Sequence, residues 1–222
     1  MTSYTLIRSN RKTIALQIDE NAKLIVRAPY RVSQKRIDQF ILEKREWIKK
    51  TQKKAAHRKQ LMEENSEFKD GKLVMFLGKE YRLILNDKIK AIELTQDIMR
   101  FPLAHIEGGE EYLSKWYKKK AKEIIIPRVE RYALALGFSY KRIGITSAKK
   151  RWGSCNSKGS INFTYRLVMT PPEIIDYVIV HELMHLREMN HSAKFWSHVA
   201  QIIPDYKKRR KWLKDNQHRI QI

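Results

Sequence analysis

Residues 181–185 read His-Glu-Leu-Met-His, a pattern that can hold a metal ion and act on a water molecule. If this segment is helical, each residue turns by about 100°, so His181 and His185 project from one face a single turn apart. Two imidazoles in that arrangement can bind one zinc ion through Zn–N bonds of about 2.0–2.1 Å. Glu182 lies about 100° round the helix from His181, where its carboxylate can act as general base on water at the metal. The spacing therefore predicts a hydrolytic zinc site in which each of these side chains has its own role.

A catalytic zinc site usually needs a third protein ligand. We predict that this ligand is His191, because it lies ten residues beyond His181 and the preceding Asn190 can supply the turn that redirects the chain. Asp205 and His198 are the alternative third ligands, and either would give a different order of ligands along the chain. If they do not coordinate, these two side chains could orient a ligand imidazole instead.

A second group of chemically useful side chains lies at residues 150–155, which read Lys-Arg-Trp-Gly-Ser-Cys. Beside a metal, Arg151, Trp152 and Ser154 could bind an anionic or peptide substrate, or stabilise an oxyanion. The alternative is a tight hairpin whose Trp152 packs in the core. Cys155 is not predicted to be a nucleophile, because no residue nearby in sequence supplies a base and a metal-activated water makes a thiolate unnecessary.

The segments around these residues have recognisable start and turn signals. Residues 140–146 and 160–168 alternate like strands and flank a turn-rich segment, which predicts a β-hairpin. Residues 170–173, Thr-Pro-Pro-Glu, then supply a capping threonine, proline at the first helical position and glutamate three residues after the cap. We therefore expect a hairpin followed by the helix that carries the histidines.

The N-terminal half is predicted to be rich in β-structure around one long helix. Short alternating segments between residues 4 and 27 predict three strands in a meander, and Ser33 then begins a helix that runs into the charged residues 49–59. Further strands are expected between residues 72 and 101, and Gly108-Gly109 marks the best boundary. We accordingly divide this α+β protein into a β-rich region with one long basic helix at 1–106 and a metal-binding domain at 107–222.

The composition is that of a strongly basic globular protein, since 46 Lys+Arg against 24 Asp+Glu give a net charge of +22. Basic residues concentrate at 114–151 and 207–211, which makes nucleic acid, nucleotides or anionic lipid plausible partners; a solvated basic face is the simpler alternative. The single Cys155 excludes an intramolecular disulfide framework and favours a reducing compartment. With no apolar run long enough to span a bilayer and no signal-peptide pattern, the expected location is the cytoplasm.

Several of these segments together resemble the YgjP-like metallopeptidase family, which is related to the SprT-like zincins. The resemblance is carried by residues 150–155, 177–186, 190–192 and 195–196, with weaker similarity at 8–13 and 27–29. It implies a zincin-like, specifically minigluzincin-like, core in the C-terminal half, one divalent metal ion and hydrolase chemistry.

The leading functional interpretation is a zinc metallopeptidase in which His181, His185 and His191 bind one Zn²⁺ per chain and Glu182 is the general base. Another divalent transition metal is an alternative cofactor, and the peptide or protein substrate is assigned mostly by resemblance. A second interpretation is a metal-dependent pyrophosphohydrolase of nucleoside triphosphates such as UTP, because the same water could attack phosphorus and the basic surface would attract the substrate. A third is a nucleic-acid-associated protease or a nucleic-acid-binding module, supported only by the basic runs. The sequence does not predict the oligomeric state.

Overall fold

The structure is a computed structural model that describes residues 3–19, 21–64 and 68–220. The chain divides into two compact units, Met1–Glu67 and Phe68–Ile222. The division between residues 106 and 107 that the sequence suggested falls inside the second unit. Buried residues of the strands before residue 106, such as Leu83 and Phe101, belong to the same hydrophobic core as Leu113 and Tyr117 from the helix after it.

The first unit is a three-stranded sheet with two helices. It contains β1 (Tyr4–Ser9), β2 (Ala15–Ile18), β3 (Leu24–Pro29), α1 (Gln34–Glu43) and α2 (Arg45–Glu64). The strand order is β1-β3-β2, with β1 parallel and β2 antiparallel to β3. The predicted meander is therefore wrong: alternation identifies strands and their faces but does not choose their partners. Ser33 caps α1 as expected, yet the predicted single helix ends at Lys44 and a second helix begins at Arg45.

The second unit contains two sheets. The first consists of β4 (Leu73–Phe76), β5 (Lys79–Asn86), β6 (Glu93–Thr95) and β7 (Ile98–Pro102), in the order β4-β5-β7-β6. The second consists of β8 (Arg142–Thr146), β9 (Gly153–Cys155) and β10 (Ser160–Thr164), in the order β8-β10-β9. The predicted hairpin between the segments at 140–146 and 160–168 is wrong, because β8 runs parallel to β10. The short strand β9, from the segment expected to be a turn, is the antiparallel partner of β10 and brings Gly153 opposite Phe163.

Four α-helices complete the second unit: α3 (Gly109–Leu136), α4 (Pro172–Met184), α5 (Ala193–Ile202) and α6 (Tyr206–Asn216). Every fourth residue of α3 is buried, which forms one continuous apolar stripe along the helix: Leu113, Tyr117, Ala121, Ile125, Val129 and Ala133. Gly137 ends α3 with a φ of 67°, a left-handed conformation that glycine adopts without strain.

Helix α4, which carries the predicted metal ligands, is buried on nearly all sides. Polar contacts fix it at its N-terminal end: Arg128 Nη1 of α3 lies 2.8 Å from Asp176 Oδ1, and Arg209 Nη1 of α6 donates to the Glu173 carbonyl at 2.8 Å. The helix begins at Pro172, one residue later than a Thr170 cap would require. The predicted cap is wrong, because the Thr170 hydroxyl donates to the Leu167 carbonyl at 2.8 Å instead.

The mixture of α-helices and β-sheets confirms the predicted α+β class. The basic residues of α2 also agree with a β-rich N-terminal region that contains a long basic helix. Within the described ranges, no helix combines the length and the apolar character needed to cross a bilayer.

Candidate metal centre and active site

Three histidines converge at the C-terminal end of α4. His181 lies in the last turn of the helix, His185 is the residue at which the helix ends, and His191 follows in the loop before α5. One ring nitrogen from each histidine lies within 4.8 Å of the other two, and the Nε2 atoms of His181 and His191 are 3.0 Å apart. Two nitrogens bound tetrahedrally to one zinc ion lie about 3.4 Å apart, so this spacing fits a shared metal.

The loop that carries His191 is fixed by the capping of the next helix. The Ser192 hydroxyl accepts a hydrogen bond from the Phe195 amide at 3.2 Å and so caps α5. The Ser192 amide in turn donates to the Asn190 carbonyl at 2.8 Å, a turn at the residue where the sequence predicted one. His191 lies between these two residues and is therefore directed back toward α4.

Aromatic side chains from α5 form the apolar support beneath the histidines. The ring of Phe195, which is fully buried, lies 5.0, 4.7 and 4.8 Å from the rings of His181, His185 and His191. Trp196 stacks on His191 at 5.6 Å between ring centroids. Packing of this kind restricts the imidazole orientations, which reduces the entropy that would otherwise be lost on metal binding.

The hydrogen bonds and protonation of the histidines suit a metal as well. The Nδ1 atom of His185 lies 3.1 Å from the Glu188 carbonyl, which leaves Nε2 to face the cluster. Nδ1 of His181 is buried and has no hydrogen-bond partner among the described residues. Burial, and then the neighbouring His185 and His191, lower the pKa of His181 to about 3, so its imidazole is neutral at physiological pH. Neutral imidazole is the form that coordinates a metal, and these residues therefore fit a divalent ion such as zinc.

Glu182 lies beside the cluster and is only 6% exposed. Burial raises the pKa of its carboxyl to about 8, although the charge of Arg151 opposes the shift. Strand β9 passes so close that a Cβ atom on Gly153 would lie 2.5–2.7 Å from the Glu182 carboxylate and its Cγ. Only glycine at this position leaves room for the carboxylate as it is placed.

A cavity of about 330 Å³ opens beside His181 and Glu182. Its lining also includes Trp152, Gly153 and Tyr177, together with Arg210 and Lys214 of α6. Of the substrate-binding residues predicted from the sequence, Trp152 therefore faces the cavity. Arg151 acts on Glu182 through its charge, whereas Ser154 pairs with Asn162 on β10 and is not part of the lining.

Sequence reasoning missed the contribution of α6 to this cavity. Its lining residues Arg210, Leu213, Lys214 and Gln217 follow the spacing of one helix face, a signal that was present but was interpreted only as part of a basic run. Gly153 was also missed as a steric requirement, because its importance depends on a helix almost thirty residues away in sequence.

The alternative third ligands lie outside the histidine cluster. The Asp205 carboxylate is 2.9 Å from Arg209 Nε at the start of α6, which lowers its pKa. His198 lies on α5 and contributes no atom to the group. Cys155 lies close enough for the charge of Glu182 to act on it, but burial above all raises the pKa of its thiol to about 11, which agrees with the prediction that it is not a nucleophile.

Two solved structures and one family profile are similar to this chain. The metallopeptidase zymogen of Pyrococcus abyssi abylysin is 23% identical, with a TM-score of 0.38 over 42% of this chain and 95% of that one. The metallopeptidase zymogen of Methanocaldococcus jannaschii jannalysin is also 23% identical, with a TM-score of 0.32 over 35% of this chain and 79% of that one. No curated protein matches the sequence. The profile described as "YgjP-like, metallopeptidase domain" matches residues 12–216, which confirms the resemblance, and the chain belongs to the YgjP-like family.

Proposed function

We propose that this metallopeptidase domain is a zinc peptidase, with His181, His185 and His191 as the ligands of one zinc ion and Glu182 as the general base. The observation that carries the proposal is the convergence of three histidine nitrogens within 4.8 Å, beside a buried carboxyl at the edge of a cavity. Glutamate next to a three-histidine site suits hydrolysis, because the ligands can leave one coordination position open.

The protein residues have separable tasks in this reaction. When bound, a zinc ion supplies Lewis-acid chemistry, in that it lowers the pKa of water and polarises a carbonyl oxygen. Glu182 accepts a proton from the attacking water at its carboxylate and transfers it to the nitrogen of the leaving amine. With zinc bound nearby, the positive charge of the ion would favour the carboxylate form of Glu182, which is the form that can accept a proton. Gly153 keeps the space in which that carboxylate lies.

The test is a comparison of wild-type protein with Glu182→Gln, with zinc measured by elemental analysis and cleavage measured on a library of quenched peptides. We expect one zinc per chain in both proteins, and a loss of turnover of about 10²–10⁴-fold in the variant, the usual contribution of a general base. Nucleoside triphosphates, including UTP, are assayed in parallel for phosphate release. Wild-type turnover in Glu182→Gln would refute the mechanism, and hydrolysis of triphosphates with no peptide cleavage would refute the substrate class.

A further inference from the structure

The part of the cavity lining that α6 contributes is basic. Arg210, Leu213 and Lys214 of α6, with Gln217 directly after the helix, lie at intervals of one helix face. Arg210 and Lys214 are exposed, so their charges are available to a molecule that enters the cavity. The cavity is thus lined both by the proposed catalytic groups, His181 and Glu182, and by two cations, Arg210 and Lys214.

Two adjacent arginines of α6 have different surroundings. Arg209 has a structural role, because its Nε pairs with Asp205 at 2.9 Å and its Nη1 donates to the Glu173 carbonyl at 2.8 Å. Arg210 instead lies over the ring of Trp196, with 5.0 Å between the guanidinium carbon and the ring centroid. Stacking of this kind orients the planar guanidinium but leaves its N–H groups free to bind an anion.

The aromatic stack also links Arg210 to the histidine cluster. Trp196 also stacks with Tyr206, at 5.1 Å, and with His191, at 5.6 Å between ring centroids. Arg210 and His181 also line the same cavity. The guanidinium therefore has a fixed place within reach of the reaction centre.

Across residues 3–19, 21–64 and 68–220, no carboxylate forms an ion pair with Arg210 or Lys214. The carboxyl that lines the cavity is Glu182, which the proposed mechanism uses for proton transfer. A bound anion would supply the missing counter-charge.

We propose that Arg210, assisted by Lys214, is a specificity-determining residue that binds a carboxylate of the peptide substrate close to the bond that is cleaved. The inference rests on the proposed peptidase function and names its substrate class. Guanidinium binds carboxylate through two parallel hydrogen bonds, and the apolar surfaces of Trp152 and Leu213 would contact the methylene groups of the same side chain. A volume of about 330 Å³ accommodates a side chain with its flanking backbone.

The experiment compares quenched peptides that differ only in Glu or Gln beside the scissile bond, each with an amidated or a free C-terminus. The variants are Arg210→Ala and, as a matched control, Lys207→Ala, which removes one charge from the same helix outside the cavity lining. We expect a KM about 10- to 100-fold lower for the Glu peptide in wild-type protein and in Lys207→Ala, and loss of this difference in Arg210→Ala. A preference that follows the free terminus instead would assign the site to the chain end, with the same dependence on Arg210.

An equal Glu/Gln ratio in wild-type protein and Arg210→Ala would overturn the inference and leave the peptidase function intact. The opposite case, in which the peptidase function fails but the carboxylate site exists, is tested by binding. Fluorescein-labelled peptides that are not cleaved are titrated with zinc-loaded Glu182→Gln, and binding is measured by fluorescence anisotropy. If wild-type protein cleaves no peptide but the Glu peptide still binds through Arg210, the proposed function fails and the carboxylate site stands. If UTP binds through Arg210 and neither peptide does, the carboxylate site is refuted in favour of phosphate.

Discussion

The two walls of the cavity are built in different ways. The wall of α4 consists of side chains that packing holds in place: Glu182 is 6% exposed and Val178 is 3% exposed, and they lie among apolar residues of the core. The wall of α6 contains two exposed cations, Arg210 and Lys214, and Arg210 is oriented by stacking on an aromatic ring. Burial suits groups whose protonation must be controlled, whereas exposure suits groups that must exchange water for a ligand. The difference indicates that chemistry and recognition can be altered separately.

The largest expected effect concerns His191, the proposed third ligand, which lies in the loop between α4 and α5. His191→Ala should weaken zinc binding by at least about 100-fold, because even the loss of an outer hydrogen-bonding partner of a ligand costs about 10- to 100-fold. Asp205→Ala should leave the affinity unchanged, since that carboxylate pairs with Arg209. Competition with a chromophoric chelator measures both affinities. Weakened binding in Asp205→Ala together with normal binding in His191→Ala would transfer the role to Asp205.

The next effect tests whether β9 holds the proposed general base, Glu182, in place. Gly153→Ala should lower kcat by about 100-fold with zinc content unchanged, because the added Cβ must displace the Glu182 side chain and misplacement by about 1 Å costs that much.

A double variant shows whether Gly153 acts through Glu182. Gly153→Ala combined with Glu182→Gln should be no slower than Glu182→Gln alone, since both changes disable the same carboxylate. If the two effects multiply instead, Gly153 affects the reaction by another route.

The third effect is a change with pH in the stability of the protein after zinc has been removed with a chelator. The pKa of Glu182 is about 8 in the folded chain against 4.5 for the free side chain, so the folded state retains a proton that the unfolded state releases. The contribution of Glu182 to stability should therefore fall as pH rises from about 4.5 to about 8. The pKa of His181 is lowered from 6.5 to about 3, so the unfolded state binds a proton that the folded state does not. Its contribution to stability therefore has the opposite pH dependence and is lost as pH falls from about 6.5 to about 3.

Glu182→Gln separates these two contributions. Above about pH 8 the variant should be more stable than the metal-free wild-type protein by a few kcal/mol, because one pKa unit corresponds to about 1.4 kcal/mol. Below about pH 4.5 the two proteins should unfold at similar denaturant concentrations. Urea unfolding at several pH values measures the difference, and identical curves above pH 8 would show that the Glu182 carboxyl is not buried as described.

The sequence was informative where one short segment determines the structure. The helical spacing of His181, Glu182 and His185 predicted the geometry of α4, and Gly137 ended α3 because its left-handed backbone is a local requirement. Strand partners were not predictable in the same way. The pattern of β8 and β10 is compatible with either direction of pairing, and only the tertiary structure places β9 between Glu182 and β10.

The same distinction applies to the site: residues close together in sequence were predictable, and residues brought in by tertiary packing were not. The proposed ligands and base lie within eleven residues, so spacing along the chain could assemble them. Arg210 reaches the cavity only because α6 packs on α4. In the sequence it cannot be distinguished from its basic neighbours Lys208, Arg209 and Lys211. Composition records the total charge of such a run but cannot tell which cation faces a cavity.

The smallest expected effect comes from basic residues outside the two walls. Along α3, Lys115 pairs with Glu111 at 2.9 Å and Lys120 with Glu123 at 2.7 Å, and none of the α3 lysines lines the cavity. Reversing the charge of four of them, in Lys118→Glu, Lys119→Glu, Lys120→Glu and Lys122→Glu, should therefore change kcat/KM for the Glu peptide by less than about threefold in about 150 mM salt, where charges are screened over about 8 Å. The same variant should lose any salt-sensitive binding of DNA, measured by anisotropy against salt concentration. A large loss of peptide cleavage would contradict the assignment of substrate recognition to the cavity wall of α6. Charge on α3 would then attract the substrate as strongly as charge inside the cavity.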